Sequence, residues 1–169
     1  GHNGGDGLVV ARELYLAGIP VQIWCPFPIK KTLTEKHLKY CLWLGIKELE
    51  TPPEIDSESL WIDGIFGLAQ TRPLPSFLEE IFISREFLKP GRLISLDIPT
   101  GLCSDTGRIL SKVGAVASTT LTVGLIKRGL VQDCALRHVG RVERIDIGLN
   151  KNLFSDLPLS QPRLIFSSD

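Results

Sequence analysis

The amino-acid sequence predicts a doubly wound α/β protein built on a mostly parallel sheet, and three observations lead there. Apolar, β-branched runs recur along the chain at the length of strands. Segments with helical spacing lie between them, and parallel neighbours need crossovers of that length. The first three runs are almost continuously apolar, as strands buried on both faces are.

Taken in order, the strands are expected at Pro20 to Phe27, Leu60 to Phe66, Arg92 to Ile98, Thr119 to Val123 and Val142 to Ile147. Helical spacing appears at Leu8, Ala11, Leu14 and Tyr15, again at Leu38, Cys41 and Leu42, and again at Phe77, Leu78, Ile81 and Phe82. A Gly-rich turn opens the chain and leads into a helix from about Leu8 to Ala17, so a first strand is expected before it and reads as missing. Residues 1–148 form one domain. Beyond Gly148 the stretch LNKNLFSDLPLSQPRLIFSSD loses periodicity and gains Ser and Pro, so residues 149–169 read as a linker toward a further domain.

Composition narrows the function. With 169 residues, 43% of them apolar, the chain can bury one sizeable core. Its 19 basic and 19 acidic residues cancel without forming a stripe, which argues against nucleic acid or an anionic membrane as partner. No apolar stretch reaches the roughly 18 to 20 residues of a membrane span. Cys25, Cys41, Cys103 and Cys134 have no metal-site or redox-pair spacing and read as reduced packing residues of a cytoplasmic protein. A chain that opens Gly-His-Asn-Gly-Gly and contains no Met reads as an interior stretch of a longer protein.

In open α/β sheets, ligands bind beyond the carboxyl ends of the strands, and three clusters fall there. The first is Gly1-His2-Asn3-Gly4-Gly5-Asp6-Gly7. Bare backbone N–H groups at a helix N-terminus suit a phosphate; a plain glycine turn capped by Asp6 accounts for the same residues equally well. The spacing is not GxGxxG, no P-loop Lys follows, and the next strand ends at Cys25-Pro26 without a ribose-binding acid, so an ordinary dehydrogenase is disfavoured.

The second cluster is Trp61-Ile62-Asp63-Gly64-Ile65-Phe66-Gly67, continuing through Leu68, Ala69, Gln70, Thr71, Arg72 and Pro73. A carboxylate in an apolar strand demands a partner, either backbone N–H groups of a loop or a cation. Arg72 reads as a solvated charge that is also in reach of a phosphate. The third cluster is Ser95-Leu96-Asp97-Ile98-Pro99-Thr100-Gly101, again an acid at a strand end before a Pro/Gly turn. If their strands are neighbours, Asp63 and Asp97 open into one crevice, an arrangement suited to acid/base work or to an oxygen-ligated cation.

NGGDG, IDGIFG and DIPTG in this order, with Val123-Gly124 ending another strand, Lys127-Arg128-Gly129-Leu130 after it and GRVERIDIG closing the sheet, resemble the NAD(P)H-hydrate epimerase family, or YjeF N-terminal domain. The likeness runs from Gly1 to about Gly148. It implies a Rossmann-like three-layer sandwich and an isomerase that interconverts the R and S forms of NADH and NADPH hydrated at C6, a repair of damaged cofactor.

By position, the resemblance implies that His2, Asn3, Gly4, Gly5 and Asp6 contact the substrate NADHX or NADPHX, with Gly67, Leu68, Ala69, Gln70, Thr71, Arg72 and Pro73 as a second substrate loop. Asp97 would touch substrate and act as the general acid/base. Asn3, Asp63 and Thr100 would supply oxygens to a potassium ion. Thr100 stands where Ser is common and keeps the hydroxyl. The resemblance further implies fusion to an ADP- or ATP-dependent NAD(P)H-hydrate dehydratase, as in bifunctional repair enzymes, and a homodimer. A non-catalytic nucleotide-binding or scaffold module of the same fold is the alternative. Retention of two costly strand-end acids favours the enzyme. His37 and His138 have no readable role, and Lys112, Lys127 and Arg128 read as solvated charges.

Overall fold

The structure is a computed structural model that describes residues 1–150 and 152, so most of the expected 149–169 linker lies outside the described residues. Helix α1 (His2–Leu16) leads to β1 (Gln22–Trp24), α2 (Thr32–Trp43) and β2 (Lys47–Leu49). Then come β3 (Trp61–Asp63), α3 (Ser76–Leu88), β4 (Leu93–Leu96), β5 (Thr119–Val123), two 3-10 turns (Arg128–Val131 and Asp133–Ala135), α4 (Leu136–Val139) and β6 (Arg141–Ile145). All strand pairings between these elements are parallel, as the helix-length crossovers require.

Two features differ from expectation. The strands form a two-stranded sheet, β1-β2, and a separate four-stranded sheet in the order β3-β4-β5-β6. Strand β2 has no apolar run, because it is a Lys-Glu-Leu edge held to β1 by main-chain bonds, with Glu48 opposite Ile23.

The core explains the layering. In β4, Leu93 and Ser95 point to one face and Ile94 and Leu96 to the other. Leu93 packs with Leu78, Ile81 and Phe82 of α3. Leu96 approaches Gly7 of α1, so the two helices cover opposite faces of one strand. Leu8 and Ala11 of α1 join Ile23, Cys41 and Ile46 in a second cluster. A third, with Ile98, Leu102, Leu130, Val139 and Val142, closes the β6 side.

One buried cation sets the entry to β3. Arg85 of α3 is 2% exposed and lies 4.6 Å over the Trp61 ring. It donates to the carbonyls of Ile55 at 2.6 Å, Ser57 at 2.8 Å and Ser59, and burial lowers its pKa from the usual guanidinium value. Those carbonyls bend the chain into β3, which ends at Asp63. Among the described residues, no helix is long and apolar enough to cross a membrane.

Candidate functional site

The Gly-rich start is helical from His2 onward, where the sequence suggested a turn as far as Leu8. Gly1 occupies the N-cap with no side-chain cap bond, and Asp6 lies inside the helix and does not cap it. Glycine disfavours a helix interior by about 1 kcal/mol relative to alanine, so packing must overrule propensity here. Close approach supplies the reason. A Cβ on Gly64, just after β3, would sit 3.3 Å from the Asn3 carbonyl oxygen and 3.4 Å from Gly7 Cα. One on Gly67 would sit 3.1 Å from Asn3 Cβ. Bare backbone on both sides lets α1 press its first turns onto the loop after β3.

That contact seats Asn3, which is 7% exposed. Its amide nitrogen donates to the carbonyls of Phe66 at 2.8 Å and Leu96 at 3.2 Å, joining α1 to the ends of β3 and β4. Thr100 completes the junction: its hydroxyl accepts the Phe66 N–H at 3.3 Å and donates to Asp63 Oδ1 at 2.7 Å. The three motifs therefore meet around Phe66.

Asp63 is 4% exposed and its carboxylate is fully engaged. Oδ1 takes the Thr100 hydroxyl and the Ile65 N–H at 3.2 Å, and Oδ2 takes the Ser95 hydroxyl at 3.0 Å and the Thr100 N–H at 2.8 Å. Four donors satisfy about four lone-pair sites. Burial still pushes the Asp63 carboxyl above the ordinary carboxylate value, against the pull of those bonds, Thr100's foremost.

The second loop is tied to the same turn. Gln70 donates to the Pro99 carbonyl at 3.3 Å and accepts the Gly101 N–H at 2.5 Å, while the Ser104 hydroxyl donates to the Leu68 carbonyl at 3.2 Å. Leu68, Ala69, Thr71, Arg72 and Pro73 are exposed along its outer edge. Gln70 thus braces the loop, and Arg72 stands at the surface.

Asp97 is built differently. It follows β4 directly and has φ 65°, the one non-glycine positive value among the described residues. Its N–H bonds the Leu121 carbonyl at 2.8 Å. Oδ1 accepts the Val123 N–H at 3.1 Å and an N–H of Lys127, whose ammonium also donates to the Val123 carbonyl at 2.7 Å. Lys127, which the sequence leaves among the solvated charges, is therefore paired.

Asp6, exposed on α1, lies near enough to Asp97 to feel its charge. Burial, then repulsion from Asp97, pushes its carboxyl above the usual range, and the nearby His2 and His37 pull it back. His37 of α2 also lies 4.0 Å from where a Gly5 side chain would begin. Sequence reasoning missed His37 and Lys127, since each reaches the crevice only through the packing of a separate element. The expected residues His2 to Asp6, Asp63, Asp97 and Thr100 do converge. Among the described residues no group of three or more His, Cys, Asp or Glu side chains is placed to hold a metal.

Comparison with known proteins agrees with this geometry. The family described as YjeF-related protein N-terminus matches residues 1–129. The chain is 40% identical to the bifunctional NAD(P)H-hydrate repair enzyme Nnr of Gloeobacter violaceus, over 89% of this chain and 30% of that protein. It is 41% identical to the Synechocystis protein of the same name, over 88% of this chain and 28% of that one. The chain thus spans under a third of these bifunctional relatives. It is also 31% identical to the NAD(P)H-hydrate epimerase of Oenococcus oeni, over 88% of this chain and 71% of that protein. The crystal structure of yeast ynu0, YNL200c, superposes with a TM-score of 0.68 at 20% identity, covering 86% of this chain and 62% of that one, which shows the fold. With all three motifs inside the matched span and joined around Phe66, the chain belongs to the YjeF-related protein N-terminus family.

Proposed function

We propose that this chain epimerises hydrated NADH and NADPH at C6, so that both forms of the damaged cofactor can be cleared. The observation that carries the reading is the junction of Asn3, Phe66, Leu96 and Thr100, which joins three distant loops, with Asp97 next to Leu96. The name of the Oenococcus relative supports the same reaction, and those of the Gloeobacter and Synechocystis relatives support repair of the hydrated cofactor.

In this reading the first turns of α1, His2 to Asp6, face the substrate phosphates, since free N–H groups there suit an anion. The Gly67 to Pro73 loop, braced by Gln70, flanks the other side of the ligand, with Arg72 in reach of a phosphate. Asp97 exchanges a proton with the bound substrate as general acid/base. A dehydratase that consumes one epimer is the proposed partner, in keeping with the bifunctional names of the longer relatives. The cytoplasm, where these cofactors circulate, is the proposed compartment.

Potassium is the proposed ion. Asn3, Asp63 and Thr100 form an oxygen-only set with a single carboxylate, which suits a large, weakly charged cation better than a soft metal. Asn3 already gathers two main-chain carbonyls at one point, and a monovalent ion would act similarly. Asp63, with all four acceptor positions filled, would contribute mainly its charge. When bound, potassium would supply positive charge that keeps these oxygens together and the loops in register.

The test is to incubate the protein with separately prepared R and S epimers of hydrated NADH, with and without potassium, beside an Asp97→Ala variant. The epimer ratio is followed by chromatography. Faster equilibration by wild type than by the variant, dependent on potassium, is expected. A folded wild type that gives only the spontaneous rate overturns the reading in favour of a non-catalytic module.

A further inference from the structure

The part-buried Lys127–Asp97 pair has a feature that an ordinary surface ion pair lacks. Lys127 lies past the end of β5 and reaches back over 30 residues to the end of β4. Their side chains keep only 12% and 14% exposure, so the pair is neither freely solvated nor strongly screened by salt. The ammonium is fixed at two points, Asp97 Oδ1 and the Val123 carbonyl. Its neighbour Arg128 turns the other way, donating to the Asp105 carbonyl at 2.9 Å, and cannot take its place.

Asp97 is constrained on both its backbone and its side chain. A left-handed backbone is unfavourable for a non-glycine residue and persists where the surroundings enforce it. The Leu121 carbonyl holds the Asp97 N–H, and the Val123 N–H with Lys127 holds Oδ1. Oδ2 has no hydrogen-bond partner among the described residues. One oxygen is pinned and the other is left for a ligand.

We propose that Lys127 is a positioning residue for the epimerisation, clamping Asp97 Oδ1 so that Oδ2 is the oxygen that exchanges a proton with the substrate. This rests on the epimerase reading. A carboxylate free to rotate spends most of its time misaligned, and misplacement by about 1 Å costs about 100-fold in rate. The ammonium acts through Asp97 and bonds neither epimer.

The test compares Lys127→Met, Lys127→Arg, Asp97→Asn and the Asp97→Asn/Lys127→Met double variant with wild type, measuring kcat and KM for the hydrated-NADH epimers. Lys127→Met should lower kcat about 100-fold with KM within about threefold, and Lys127→Arg should recover part of the loss. In the Asp97→Asn background, Lys127→Met should cost nothing more, because a residue acting through Asp97 has nothing left to orient. If Lys127→Met alone fails to fold because it strands a buried carboxylate, the double variant removes that charge, and the Arg variant with the double still decides the matter. Wild-type kcat in Lys127→Met, a loss confined to KM, or a full multiplicative loss in the double variant overturns the inference and leaves the epimerase reading standing. An inactive wild type overturns both.

Discussion

Asp63 and Asp97 end neighbouring strands and carry the same sequence signal, an acid closing an apolar run, yet the fold bonds them in opposite ways. Asp63 is saturated by four donors from Ile65, Ser95 and Thr100 and organises the loop after β3. Asp97, on a left-handed backbone, has one oxygen held by Val123 and Lys127 and the other without a hydrogen-bond partner among the described residues. Burial and charge alone do not separate a structural from a catalytic carboxylate. In the reading proposed above, the number of donors that fill its lone pairs does.

Four substitutions test this division. The largest effect is expected from Asp97→Asn, which should lower kcat by about 10²- to 10³-fold while moving the melting temperature by only a few degrees. A variant that is chiefly destabilised would move Asp97 to the structural side. Asp63→Asn should do the reverse. Its amide turns N–H groups toward donors that need an acceptor, at a cost of about 3 kcal/mol, or roughly 6–12 °C in thermal unfolding. Unchanged unfolding would show that the four bonds contribute little.

Gln70→Ala should act more mildly. Loss of its bonds to Pro99 and Gly101 frees the second loop, so KM for hydrated NADH should rise severalfold, with about 1 kcal/mol of stability lost. A kcat defect at unchanged KM would place Gln70 with Asp97 in the chemistry.

Asp6→Asn is the smallest effect and the most specific in sign. The folded-state pKa of Asp6 is raised, so ionising it costs folded-state stability. Below the ordinary carboxylate value both folded and unfolded chains hold the proton, and the cost is absent. It enters as pH rises through the raised value and is complete above it. Unfolding measured across pH should therefore show wild type and Asp6→Asn alike at about pH 3 and the variant slightly more stable at about pH 8. A variant that is less stable at the higher pH would mean that His2 and His37 outweigh burial and Asp97.

Strands β1, β3, β4, β5 and β6 were legible because apolar, β-branched runs have few other ways to bury themselves. Strand β2 was not, since Lys47, Glu48 and Leu49 carry no such pattern and are held by main-chain pairing to β1. The helical start of α1 was hidden for the opposite reason: its glycines signal a turn, and only contact with Gly64 and Gly67 makes them helical. The three motifs were legible as candidates; their junction around Phe66 was not.

By itself the sequence determined the α/β class, the strand-end placement of Asp63 and Asp97, and a likeness whose motifs the family match contains, because these depend on local pattern and order along the chain. Tertiary structure alone decided which acid is saturated and which is left open, and brought Lys127 and His37 to the crevice. Hydrogen bonds across 30 or more residues arise from packing, and no local pattern encodes them.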